Sequence, residues 1–128
     1  MLRVLVVDDD SAVLRVLADA LSLAGYVVRE ATDGADALAT ARTWQPDVLV
    51  TDLSMPGIDG VEAIRQLRQD PATRAIRIVV CSGTVDRVEQ ERLAVDAIVA
   101  KPFDLEVLVA AVAGQAEPPR DVEPFPSV

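Results

Sequence analysis

The chain has 128 residues, enough for one domain with a buried core of its own. Its hydrophobic fraction of 51% and charged fraction of 26% describe a soluble globular chain and exclude a disordered one. A formal net charge of −9 argues against direct nucleic-acid binding and against an anionic membrane surface, since both need Lys and Arg to meet phosphates.

Residues 2–7 form a short apolar run that stops at Asp8, Asp9 and Asp10. A run this short is neither a secretory signal nor a spanning helix, so a cytoplasmic location is expected. Leu14, Leu17, Ala18 and Leu21 follow at helical spacing, with Asp10 or Ser11 as the cap and Gly25 past the end. A second strand is expected at 26–28, a helix at 35–42 and a third strand at 48–50, just before Asp52. Val61, Ile64 and Leu67 mark a further helix that Pro71 ends. Residues 76–81 read as a strand running into Ser82, and 85–94 as a helix anchored by Val88 and Leu93. Residues 97–100 make the last strand, followed by Lys101-Pro102 and a helix carrying Leu105, Leu108, Val109 and Val112.

Strands alternating with helices imply a doubly wound α/β fold, a five-stranded parallel sheet with helices on both faces; the order 2-1-3-4-5 fits, because the second strand ends in Glu30-Ala31 and brings no site residue to the edge. Strands covered on both faces should be continuously apolar, as these runs are. Residues 1–114 are expected to be the domain. Residues 115–128 carry four prolines, which bar a helix or central strand, and read as a Pro-rich tail or linker stub.

The absence of histidine excludes His-based acid/base catalysis and His-ligated zinc. Lys101 is the single lysine beside eleven arginines, so the chain's one compact ammonium is reserved for one position. Cys81, the single cysteine, lies in an apolar run and reads as a small core hydrophobe. Asp8 and Asp9, Asp52, Ser82 and Lys101 each follow a strand run. In a parallel sheet those strand ends share one edge, where doubly wound folds bind ligands. Three carboxylates brought together there repel one another, and a hard divalent ion such as Mg²⁺ removes that cost. A carboxylate can accept a phosphoryl group, with Mg²⁺, an ammonium and a hydroxyl each serving one equatorial oxygen. Asp52 is the expected acceptor, with Lys101 and Ser82 on the phosphoryl oxygens. The plainer reading of the triplet is a solvated cap on the first helix.

Val6-Val7-Asp8-Asp9-Asp10, Thr51-Asp52-Leu53-Ser54-Met55-Pro56-Gly57, Cys81-Ser82-Gly83 and Ala100-Lys101-Pro102-Phe103 together closely resemble the receiver domain of two-component response regulators. The resemblance covers residues 1 to about 114 and implies a flavodoxin-like receiver fold. It implies Asp52 as the phosphorylated residue and Mg²⁺ on Asp9, Asp52 and the Ser54 backbone carbonyl, with Asp8 acting through water. It implies a phosphohistidine donor, on a sensor histidine kinase or histidine phosphotransfer protein, and signalling to a downstream effector or homodimer. Such a domain is a phosphoacceptor rather than an enzyme, at most catalysing its own phosphorylation and dephosphorylation. The chain departs from the family at Ile98, where an aromatic ring usually stands, and at Ala94, where glycine is common. Ser54 and Thr84 are small residues at positions that govern water attack, so open water access is expected. No effector segment follows, so the chain is expected to be a stand-alone receiver or the amino-terminal part of a longer protein. Two other readings are a pseudo-receiver scaffold or dimerisation module, and a Mg²⁺-dependent Asp-nucleophile phosphatase of the haloacid-dehalogenase type. The second leaves Asp52 and Met55-Pro56-Gly57 unexplained.

Overall fold

Successive side chains of a strand point to opposite sides of its sheet, and along residues 3–7 that alternation divides the chain's core in two. Val4 and Val6 enter one apolar cluster while Leu5 and Val7 enter the other. The computed structural model describes residues 2–52, 60–82, 95–100 and 104–116. These comprise β1 (Arg3–Val7), α1 (Ser11–Leu23), β2 (Val27–Ala31), α2 (Gly34–Trp44) and β3 (Val48–Asp52). They continue with α3 (Gly60–Gln69), β4 (Arg77–Ser82), β5 (Ala97–Ala100) and α4 (Leu105–Ala116). The strands make one parallel sheet in the order β2-β1-β3-β4-β5, as the sequence pattern implies. The helix expected at 85–94 and the tail beyond 116 lie outside the described residues.

Leu14, Leu17 and Leu21 of α1 and Leu108 and Val112 of α4 cover the face that carries Val4, Val6, Val48, Val50, Val79 and Cys81. Leu38 and Ala41 of α2 and Ile64 and Leu67 of α3 cover the opposite face with Leu5, Val7, Leu49, Ile78 and Val80. Continuous apolar burial holds for the interior strands and fails for β2, where Arg29 and Glu30 are exposed and only Ala31 is buried. β2 is an edge strand paired on one side, so its outer residues meet water.

Helix ends follow their local chemistry. The Asp10 carboxylate caps α1 by accepting from the amides of Ala12 (3.0 Å) and Val13 (3.3 Å). After α1 the chain reverses through Gly25 at φ +102°, a backbone region that side chains disfavour. Asp33 caps α2 through the Asp36 amide at 2.8 Å.

At the sheet's N-terminal edge, Asp47 ties three strands together. Its carboxylate accepts the Arg3 amide at 2.8 Å, its own amide donates to the Arg3 carbonyl, and its carbonyl accepts the Arg77 amide. Asp96 does the same for the far side. Its carboxylate accepts from the Ile78 amide at 2.7 Å and from Arg68 at 3.2 Å, and Arg68 also donates to the carbonyls of Arg74 and Ile76. Polar clamps thus occupy one edge of the sheet and leave the other edge for chemistry.

Ile64 is fully buried between α3 and the sheet. Ile64→Ala should cost about 2–5 kcal/mol of stability. Trp44, the chain's only tryptophan, packs against the same cluster and reports the loss in a urea melt followed by fluorescence.

Candidate functional site

Parallel pairing decides which strand ends meet. Val7 is registered with Thr51, so Asp8 leaves β1 beside the point where β3 ends in Asp52. On the other side of β3, Asp52 is registered with Cys81, and Ser82 with Ala100. The ends of β3, β4 and β5 therefore succeed one another across the C-terminal edge. Ser54 and Lys101 lie outside the described residues, as does the Ser82 side chain.

Carboxylate oxygens of Asp8, Asp9 and Asp52 lie within 4.8 Å of one another. Asp8 is buried, Asp52 half-buried and Asp9 exposed, so the group grades from the protein interior into solvent. Asp8 is held by its backbone as well: its amide donates to the Ala31 carbonyl at 3.2 Å, extending the β1–β2 pairing by one residue. Its Oδ1 accepts the Asp10 amide at 2.9 Å. Thr51, also buried, donates its hydroxyl to the Asp52 carbonyl at 2.9 Å. Thr51 stands in the acceptor motif, but nothing in the sequence distinguished its hydroxyl from that of any strand threonine.

The three consecutive aspartates have separate fates. Asp10 is the helix cap and stands outside the three-carboxylate group, whereas Asp8 and Asp9 join Asp52. The solvated-cap reading is therefore right for Asp10 and wrong for Asp8. Oxygens from three carboxylates at this spacing suit a hard cation with an oxygen shell, which is the donor chemistry of Mg²⁺. Borderline or soft metal ions find no nitrogen or thiolate here among the described residues, because Cys81 turns into the core with Val79 and Val99.

The family model of the response regulator receiver domain matches residues 4–113. The chain belongs to the response regulator receiver family. It is 42% identical over 111 residues to the transcriptional regulatory protein PrrA of Mycobacterium tuberculosis, covering 86% of this chain and 48% of that protein. It is 40% identical over 126 residues to the response regulator MprA of Mycobacterium avium, covering 95% of this chain and 55% of that protein. Its fold matches the chemotaxis protein CheY4 of Vibrio cholerae with a TM-score of 0.84 at 28% identity, over 89% of this chain and 98% of that one. The receiver protein of Pseudomonas putida matches with a TM-score of 0.81 at 29% identity, over 88% and 95% of the two chains. The chain thus spans the whole of these single-domain structures and about half the length of the curated relatives. No helix among the described residues is long and apolar enough to cross a membrane.

Receiver domains signal by accepting phosphoryl groups, and the carboxylate group accounts for a measurable tension in this one. Two unit charges about 5 Å apart at an effective dielectric near 20 repel by about 3 kcal/mol, and exposure of Asp9 lowers that figure. Asp52→Asn removes one charge, so without divalent metal it should stabilise the folded chain by about 1 kcal/mol. Thermal melts in the presence of EDTA read the difference. An Asp52→Asn melting temperature at or below the wild-type value would show that the repulsion is already relieved.

Proposed function

We propose that this receiver domain accepts a phosphoryl group on Asp52 from a phosphohistidine donor in a Mg²⁺-dependent reaction. The convergence of Asp8, Asp9 and Asp52 oxygens within 4.8 Å at the C-terminal sheet edge is the observation that carries the reading. In the transfer, an Asp52 carboxylate oxygen forms a bond to phosphorus as the phosphorus–nitrogen bond of the donor breaks. The electron pair of that bond returns to the imidazole, which takes its proton from solvent. Little covalent work is left to the protein, so rate comes from positioning and from charge neutralisation.

Asp9, Asp52 and the Ser54 backbone carbonyl are the proposed ligands of Mg²⁺, with Asp8 reaching it through water. When bound, the ion offsets the charge of the carboxylates and of one phosphoryl oxygen. Burial of Asp8 and exposure of Asp9 support that division, since the exposed acid meets an incoming ion first. Lys101 is proposed to contact a second phosphoryl oxygen and Ser82 a third. Ser82 ends β4, which pairs directly with β3, and Lys101 follows β5, one strand further along the sheet.

The proposed partner is a sensor histidine kinase or a histidine phosphotransfer protein, in the cytoplasm. The domain is not a turnover enzyme; its reactions are its own phosphorylation and hydrolysis. Output passes to a downstream effector or a second receiver, and the chain spans about half the length of its curated relatives. The switch is proposed to run without an aromatic ring. Ile98 occupies that position, registered with Val80 and partly buried against the cluster under α2 and α3. A branched aliphatic side chain has no polar tip to trade between solvent and core, so the conformational change must be carried by repacking alone.

Incubation with acetyl phosphate and Mg²⁺ should add one phosphoryl mass to the wild type and none to Asp52→Asn, read by intact mass spectrometry. An adduct that survives the substitution overturns the assignment. The phosphoryl group should also be lost spontaneously without long delay, because Ser54 and Thr84 are small; an adduct stable for many hours would contradict open water access.

A further inference from the structure

The proposed Mg²⁺ site uses two acids of the Asp8-Asp9-Asp10 triplet, and the third is bonded to both the site and the first helix. We propose that Asp10 is a positioning residue for the metal: by capping α1 it fixes the peptide N–H that orients the Asp8 carboxylate. This rests on the reading of Asp8, Asp9 and Asp52 as the cation site.

The chain of contacts is continuous. Asp8 Oδ1 accepts the Asp10 amide at 2.9 Å. The Asp10 carboxylate accepts the amides of Ala12 and Val13, and the Asp10 carbonyl accepts the Leu14 amide at 2.9 Å. Leu14, Leu17 and Leu21 lock α1 onto the sheet, so its first turn is a rigid reference. Asp10 lies between that reference and Asp8 in extended backbone, at φ −92° and ψ 110°. Three hydrogen bonds therefore anchor the residue whose amide meets the Asp8 carboxylate.

Burial makes the hold consequential. Asp8 is 2% exposed, so water offers few competing donors to set its orientation. The bond from the Asp10 amide to Oδ1 therefore contributes to how that carboxylate faces. Without the cap, the amides of Ala12 and Val13 turn to solvent and the first turn loosens. The Asp10 amide then drifts relative to Asp8, and the carboxylate loses its preset direction. Partners that orient metal ligands in this way commonly govern affinity as strongly as do some ligands themselves.

A competing account would have Asp10 act by charge, as a fourth negative group near the cation. The two accounts separate cleanly, because Asn and Ser cap helices about as well as Asp but carry no charge. Mg²⁺ is titrated by calorimetry into the whole chain as wild type, Asp10→Ala, Asp10→Asn and Asp10→Ser. Each titration is run well below the variant's melting temperature, with circular dichroism to confirm the fold. Asp10→Ala should weaken Mg²⁺ binding about tenfold, the low end of the loss expected for a ligand-orienting partner. Asp10→Asn and Asp10→Ser should bind within about twofold of wild type, since the cap survives. Wild-type affinity in Asp10→Ala overturns the proposal, and so does a loss in Asp10→Asn as large as in Asp10→Ala. Absence of Mg²⁺ binding in the wild type would overturn the metal-site reading itself and this inference with it.

Discussion

The parallel pairing of β1 with β3 is the constraint on which the rest of the molecule depends. Its register sets Val7 against Thr51 and so delivers Asp8 and Asp9 to the side of Asp52. Bringing three carboxylates together is unfavourable, and the chain does it because the apolar residues behind them allow no other alignment. Val4 to Val7 and Val48 to Val50 are each at most 1% exposed. Burying one such side chain is worth about 1.5–3 kcal/mol. Summed over seven residues, that outweighs the repulsion among three partly solvated acids. A slip of one residue would also reverse every side chain between the two clusters, so the register has no near competitor.

Polar groups are sorted between the two ends of the sheet. Asp47 and Asp96 spend their hydrogen-bonding capacity on backbone amides and arginines at the N-terminal edge, where they hold strands together. At the C-terminal edge, Asp8, Asp9 and Asp52 sit close together in mutual repulsion.

Activation in a receiver is a local change of charge that biases a packed element. The elements behind Asp52 are unequal in this respect. α1 and α4 share a cluster with Val50 and Cys81, and α2 and α3 share the other with Val80 and Ile98. Ile98 lies on β5, an edge strand, with one hydrogen-bonded neighbour instead of two. Edge elements are the ones whose packing changes at least cost to the remaining sheet. Ile98 is aliphatic and brings no hydroxyl to that place.

Much of this was legible from the residues in order. Apolar runs of strand length, helical stripes such as Leu14–Leu17–Leu21 and the residues at the strand ends determined the parallel α/β class, the strand order and the identities of Asp8, Asp9 and Asp52. The class depends on local periodicity, which a linear sequence records directly, and the order on which strand ends carry polar site residues. The division of labour within Asp8-Asp9-Asp10 was not legible, since three identical neighbours carry no internal signal. It was decided by where β1 stops and α1 starts: Asp8 falls in the buried turn, Asp9 in solvent and Asp10 on the helix end. The exposure of β2 was likewise decided by its place at the sheet edge, and the partnership of Asp96 with Arg68 by a contact across 28 residues of chain. Such facts belong to tertiary structure because burial and long-range register are properties of the packed sheet, and no single segment contains them.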